Sequence, residues 1–314
     1  MDDLFTSAFL TGLIAATLRM ATPILFAMLG ELISERAGVL NLGIEGTMVM
    51  GAMVGFLTTL TTGSLVLGVA AGAGAGMLLS LLMAVLTVYL GLNQHVSGLG
   101  ITLFATGLAM FLYRLAVGSP IVPPTIDPFT RIEIPVLSSI PLIGPALFRQ
   151  YGLTYLAFLL VPLVAFFLYR TRAGLVVRTV GENPLAADTV GVDVRLTRTL
   201  CLMAGGALMG IGGAFLTLAH QNMFLIDVVG GRGWVALAMV IFGNWHPVKG
   251  MIGALLFGLL DGLQLRLQGS DLAIPFDFFL MVPYLMTIVA LVLVSRRAQV
   301  PAALLKPYRR EDRG

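Results

Sequence analysis

The chain has 314 residues, 58% of them hydrophobic and only 11% charged, with a mean hydropathy of +0.96. A water-soluble surface takes about a quarter of charged residues, so one or more soluble domains are excluded. The 37 glycines show neither the strict period of collagen nor the polarity of a disordered chain, and the formal charge of +3 does not mark nucleic acid, because the basic residues are clustered. Arg170, Arg172, Arg178, Arg195 and Arg198 flank one loop, and Arg296, Arg297, Lys306, Arg309, Arg310 and Arg313 follow the last apolar run. Short loops rich in Lys and Arg stay in the cytoplasm. Cys201, the single cysteine, makes no internal disulfide and no metal set.

A spanning helix needs about 20 mostly apolar residues. In chain order such runs fall near 5–30, 45–60, 65–90, 97–117, 152–170, 199–219, 233–244, 250–267 and 277–295. The expectation is an all-α integral membrane fold of about eight or nine transmembrane helices, forming one domain over 1–314. The N-terminal segment lacks the basic start of a cleaved signal peptide, so insertion of the whole chain is expected. Segment 119–150 carries Pro120, Pro123, Pro124, Pro128, Pro135, Pro141 and Pro145, which no lipid-facing helix tolerates. Counting crossings from the basic loop puts it outside, as a plain connection or as a docking surface. The same count makes 171–198 and the tail 296–314 cytoplasmic. Small residues spaced by four, as in Gly68, Gly72, Gly76 or Gly250, Ala254, Gly258, Gly262, mark close helix packing.

No catalytic constellation or metal site is present, and no G-x-x-x-x-G-K-[ST] loop to cradle ATP. Two places break the membrane pattern. In GVLNLGIEGTMVMGA (38–52), glycines interrupt an apolar run beside Asn41 and Glu45; in VGGRGWVALAMVIFGNWHP (229–247), glycines open a short stretch that Gly243, Asn244 and Pro247 close. Irregular backbone in a bilayer survives only when buried in protein or lining a watery cavity. Such Gly-broken short helices in two halves point to a solute path formed by two inverted repeats. An ordinary loop beside a short helix is the alternative. Asn41, Glu45, Gly46, Asn93, Phe104, Trp234 and Asn244 are the candidate path residues, Glu45 being equally suited to pair with a helix end. A third feature is a short helix inside 171–198, capped by Asn183, started by Pro184, and stopped at Gly191. It suits a groove of another protein or the lipid surface.

At these three places the chain resembles permease subunits of bacterial ABC importers in the family serving ribose-type sugars, branched-chain amino acids and nucleosides. ISERAGVLNLGIEGTMVMGA is most similar to the nucleoside-type, shorter paralogue; NQHVSGLGITLFATGLAMFLYR (93–114), the G-x-N-x-x-A-A-x-x-x-G pattern from Gly181, and GMIGALLFGLLDGL (250–263) also match. F-G-N-W at 242–245 departs from the two glycines usual in sugar permeases. The resemblance implies a non-enzymatic, multi-pass subunit of a bacterial inner membrane with a cytoplasmic C-terminus. It implies as partners a paralogous permease, a cytoplasmic ATPase that binds ATP and Mg, and an external substrate-binding lipoprotein. It implies no cofactor in this chain. Glu182, Asn183, Pro184, Leu185, Ala186, Ala187 and Gly191 become the ATPase-coupling element, with Leu185, Ala186 and Ala187 on the contact face. The expected solute is a nucleoside. The alternatives are a ribose- or galactose-type sugar, or an ion-coupled transporter without an ATPase.

Overall fold

The computed structural model describes residues 7–135, 137–140, 143–267, 281, 285, 288–289, 292 and 299–308. Apart from those single positions, the span expected at 277–295 lies outside the described residues. So do Arg296, Arg297, Arg309, Arg310 and Arg313 of the tail. The rest is an all-α membrane fold. Helix α1 covers Ser7–Arg36, α2 Ile44–Thr62, α3 Leu65–Ala84, α4 Gln94–Val117, α5 Ile143–Leu147 and α6 Gly152–Arg170. Then come α7 Arg172–Glu182, α8 Pro184–Thr189, α9 Val194–Phe215, α10 Arg232–Phe242 and α11 Pro247–Leu267. Single π-helical turns extend α3 over Val85–Tyr89 and α9 over Leu216–Gln221. Among the described residues, seven helices are long and apolar enough to cross a membrane, and α10, with 11 residues, is a shorter apolar one.

Two boundaries differ from the sequence expectation. Helix α1 does not stop near residue 30 but runs to Arg36. Its polar last turns find partners inside the protein, so they do not force an exit to water. Segment 171–198 is not a loop holding one helix; α7, α8 and the first turn of α9 fill most of it. Segment 119–150 is likewise ordered in part, with β1 (Arg131–Glu133) antiparallel to β2 (Arg149–Tyr151), Arg131 opposite Tyr151.

The core is built around α1 and α9. From Ala21 to Glu35 every α1 residue is buried, an apolar interior of Ile24, Leu25, Phe26, Met28, Leu29 and Leu32. The glycine stripes are seams. A Cβ on Gly76 would strike the Gly206 carbonyl oxygen, one on Gly210 that of Gly72, and one on Gly30 that of Gly205. Backbones in contact gain dispersion that lipid cannot supply. The same seams fix direction: α9 runs antiparallel to α1 and α3, since Gly205 meets Gly30 while Gly212 meets Pro23. One end of the bundle therefore holds α7–α8 and the last turns of α1 and α6, and the other holds segment 118–151. We call these the α8 end and the ribbon end.

Candidate functional site

The two glycine-broken segments meet. From the α8 end, residues 37–43 turn back into the bundle after α1. The Asn41 N–H donates to Glu31 Oε1 at 2.8 Å, the Leu40 N–H to Gln94 Oε1 at 2.8 Å, and Thr102 Oγ1 to the Leu42 carbonyl at 2.9 Å. From the ribbon end, residues 222–231 descend until α10 starts. Asn222 (φ 61) leaves the π turn in a left-handed conformation, and its carbonyl accepts the Ile126 N–H at 3.0 Å. At the meeting point Glu45, in the first turn of α2, reaches across to the N-terminus of α10. Its Oε1 accepts the Gly231 N–H at 2.9 Å and its Oε2 the Gly233 N–H at 2.8 Å.

The chemistry of that junction follows from the helix end. The first N–H groups of a helix lack intrahelical partners and carry a partial positive charge, which a carboxylate satisfies and neutralises. Gly231 sits at φ 79, which an L side chain resists, and a Cβ on Gly233 would lie 2.6 Å from Glu45 Oε2. Arg232 fixes the same turn. It donates to the Val229 carbonyl at 3.1 Å and pairs with Asp261 of α11 at 3.4 Å.

A second network closes the α8 end. Trp245 is 2% exposed and, like Asn244 before it, has positive φ (54 and 51). Its indole N–H donates to Glu35 Oε2. Its carbonyl accepts from Arg36 Nε (3.0 Å), Arg36 Nη2 (2.9 Å) and the Tyr169 hydroxyl (3.2 Å). Two consecutive left-handed residues that are not glycine are strained, and these bonds hold them. Arg198, 1% exposed, donates from Nε to the Ala37 carbonyl (3.1 Å) and from Nη1 to the Lys306 carbonyl (3.2 Å). Residues 299–308 thus form a strap. The Ala303 N–H donates to the Gly181 carbonyl at 2.9 Å, the Ala302 N–H to Glu182 Oε2 at 3.2 Å, and the Gln299 N–H to Asn244 Oδ1 at 2.7 Å.

The predicted path residues divide accordingly. Glu45 caps α10. Asn41 is 1% exposed and internally bonded, its Oδ1 accepting the Gly43 N–H. Gly46 is buried against Thr102. Asn244 holds the strap. Trp234 is half-exposed one residue beyond the Glu45 contact. Asn93 and Phe104 are not brought to this place. Asn93 caps α4, accepting from the His95 and Val96 N–H groups, and with exposed Phe104 it lines a groove between α3 and α4. In α8, Asn183 Oδ1 accepts the Ala186 N–H at 3.0 Å and Gly191 stands at φ 85. Leu185 and Ala186 are exposed, but Ala187 is fully buried against Val180 and Val194. Ala187 is therefore removed from the contact face. Glu35, Arg36, Arg198 and Trp245 were missed as site residues. The i, i+4 pair Glu31 and Glu35 in an apolar run was the available signal.

Seven helices long and apolar enough to cross a bilayer, with two broken segments that enter from opposite ends and meet at Glu45, mark a multi-pass membrane protein. The chain belongs to the family described as branched-chain amino acid transport system / permease component, which matches residues 13–291. It is 36% identical to the guanosine ABC transporter permease protein NupQ of Bacillus subtilis, over 95% of this chain and 97% of that one. It is 37% identical to the nucleoside ABC transporter permease protein NupC of Lactococcus lactis subsp. cremoris, over 93% and 94%. It is 44% identical to TsgC13 of Haloferax volcanii, over 97% and 99%; that protein is named, provisionally, as a glucose ABC transporter permease protein. No solved structure matches significantly.

Proposed function

We propose that this permease is the membrane-spanning half of an ATP-driven importer that takes a nucleoside from an external binding protein. The observation that carries the reading is the Glu45 junction, where two broken segments are joined by a bond between a carboxylate and a helix end. Such a joint can part and reform without unfolding either helix. Likeness to NupQ and NupC supports the nucleoside. A paralogous permease chain completes the path, and cytoplasmic ATPase subunits hold ATP and Mg. The α8 end and the C-terminus face the cytoplasm of a bacterial cell, and the ribbon end faces out. Exposed Leu185, Ala186 and Val190 of the α8 unit dock on the ATPase. Motion there reaches the junction through the strap and Arg198.

TsgC13 favours a second reading, in which the same machine carries a simple sugar. Uptake of labelled uridine, adenosine, ribose and glucose into proteoliposomes holding the full complex and its binding protein separates the two. Uridine and adenosine are expected to enter with ATP and to compete with each other. Entry of glucose or ribose, with no uptake or competition by nucleosides, would replace the nucleoside by a sugar.

A further inference from the structure

Glu31 and Glu35 lie one turn apart on α1, 0% and 1% exposed, within the continuous buried stretch of that helix. Each is anchored by one oxygen to a different chain break. Glu31 Oε1 accepts the Asn41 N–H at 2.8 Å, and Glu35 Oε2 accepts the Trp245 indole N–H. The other two oxygens, Glu31 Oε2 and Glu35 Oε1, are buried and have no hydrogen-bond donor among the described residues. The two carboxyls are within hydrogen-bonding reach of each other. Neither makes an ion pair among the described residues. The charged and titratable groups on the elements packed around them are engaged elsewhere or exposed. Arg36 and Tyr169 donate to the Trp245 carbonyl, Arg198 to the Ala37 and Lys306 carbonyls, and Arg178 to the Leu168 carbonyl. His246 stacks on Tyr169, Glu45 caps α10, and Lys249 is exposed.

Two ionised carboxylates in this place would each keep a charged oxygen out of water and unbonded, and would repel each other where little screens them. One proton between them removes a charge and gives both leftover oxygens a partner. We propose that Glu31 and Glu35 are a proton-binding site, one proton shared between the two carboxyls, and that this proton completes a latch between the two broken segments at the α8 end. Glu31 holds the segment that follows α1, Glu35 holds Trp245 after α10, and the proton joins the two holders. A divalent ion takes about six oxygens, and the pair has two to give, which suits a proton. When the segments part and water enters, both carboxyls ionise as ordinary glutamates do. Opening of the α8 end and release of the proton are therefore one event. The latch works alike for a nucleoside or a sugar.

The test is infrared spectroscopy of the purified full chain in lipid at about pH 7.5, where an ordinary carboxyl is ionised. Wild type is expected to show the carbonyl band of a protonated carboxylic acid, shifted in heavy water. Glu31→Gln and Glu35→Gln should each lose it, because the new amide N–H serves the remaining carboxylate and no acid is left. Absence of the band from wild type, as two ionised carboxylates bridged by water or a metal ion would give, overturns the site. A band that survives in either variant overturns the sharing. The latch has its own readout in melting temperature. A proton held by the folded chain and released by the unfolded one moves the folding equilibrium toward unfolding about tenfold per pH unit as the pH rises. Glu35→Gln holds no such proton in either state. From about pH 7.5 to about pH 8.5 wild type should therefore lose melting temperature relative to that variant. A difference that stays constant would overturn the latch.

Discussion

The two ends of the bundle are held by different kinds of bond. At the α8 end buried charged side chains pin the chain breaks: Arg36 and Tyr169 bond the Trp245 carbonyl, Glu35 its indole, and Arg198 the Ala37 and Lys306 carbonyls, while Glu31 Oε2, Glu35 Oε1 and Arg198 Nη2 keep no partner among the described residues. At the ribbon end neutral groups do the joining: Gln150 Nε2 donates to the Ala146 carbonyl, the Phe129 N–H to the Leu218 carbonyl and the Ile126 N–H to the Asn222 carbonyl. The buried charged side chains among the described residues, Glu31, Glu35 and Arg198, all lie at the α8 end. Equal-looking substitutions at the two ends therefore differ in cost, because removing a partner of a buried charge costs more than removing a neutral hydrogen bond.

Arg198→Ala should show the largest effect. It removes two bonds from a buried guanidinium to backbone carbonyls, each worth about 1.5–3 kcal/mol. It also releases the strap from segment 37–43. The purified protein should melt well below wild type, and ATP hydrolysis by any complex that still assembles should no longer drive uptake. An unchanged melting temperature would break the comparison at its strongest point. Glu45→Ala comes next, because it leaves the Gly231 and Gly233 N–H groups without their carboxylate. Loss of a helix N-cap costs about 0.5–2 kcal/mol, and under the proposed function, in which the junction opens during transport, uptake should fall further than stability does. Glu45→Gln keeps an acceptor and gives up only the charge on the helix end, about 0.3–1 kcal/mol. Its melting temperature should lie between those of wild type and Glu45→Ala. If Gln and Ala behave alike, charge at the α10 end is the controlling feature and hydrogen bonding is not. Tyr113→Phe should leave the melting temperature unchanged or raise it, since it deletes a buried hydroxyl with no hydrogen-bond partner among the described residues. A fall as large as that of Glu45→Ala would mean that the hydroxyl has a bonding partner in the folded protein.

Much of this was legible in the sequence, and the parts that were not share a cause. The spans and the glycine seams follow from apolar length and four-residue spacing, both local properties. The Asn183 cap and the Gly191 stop are local too. Glu45 was ambiguous because its partner, the α10 end, is nearly two hundred residues away, and a carboxylate beside a glycine break reads the same whether it meets a solute or a helix. Ala187 was misplaced because α8 has only six residues, too few for periodicity to tell its inner face from its outer one. Asn93 and Phe104 were grouped with the path by residue type, whereas α4 turns them toward a separate groove. Arg198 looked like one more cytoplasmic charge. Only the return of residues 299–308 over α7, a contact across more than a hundred residues, turns it into an internal pin.

The smallest predicted effect appears only in acid. His246 lies at the α8 end between α10 and α11, stacked on Tyr169 with ring centroids 5.2 Å apart and planes at 17°. Burial, and then the positive charges of Lys249 and Arg36, hold its pKa below the ordinary histidine value; Arg178, over the other ring of the stack, adds a further cation nearby. A depressed pKa on a base means that the folded chain refuses a proton the unfolded chain accepts. Above about pH 7 both states are neutral at this position and His246 contributes no pH dependence. As the pH falls through about 6.5 the unfolded state protonates first, so stability declines, and the decline ends only below the folded pKa. His246→Phe keeps a ring on Tyr169 and removes the titration. Melting temperatures of the two proteins at pH 7.5 and 5.5 isolate the effect, because every other titrating group cancels in their difference. The variant should gain on wild type as the medium is acidified. A difference that stays constant between the two pH values would show that the closed end tolerates a charged imidazole, and that its bonding is looser than that of the Trp245 network beside it.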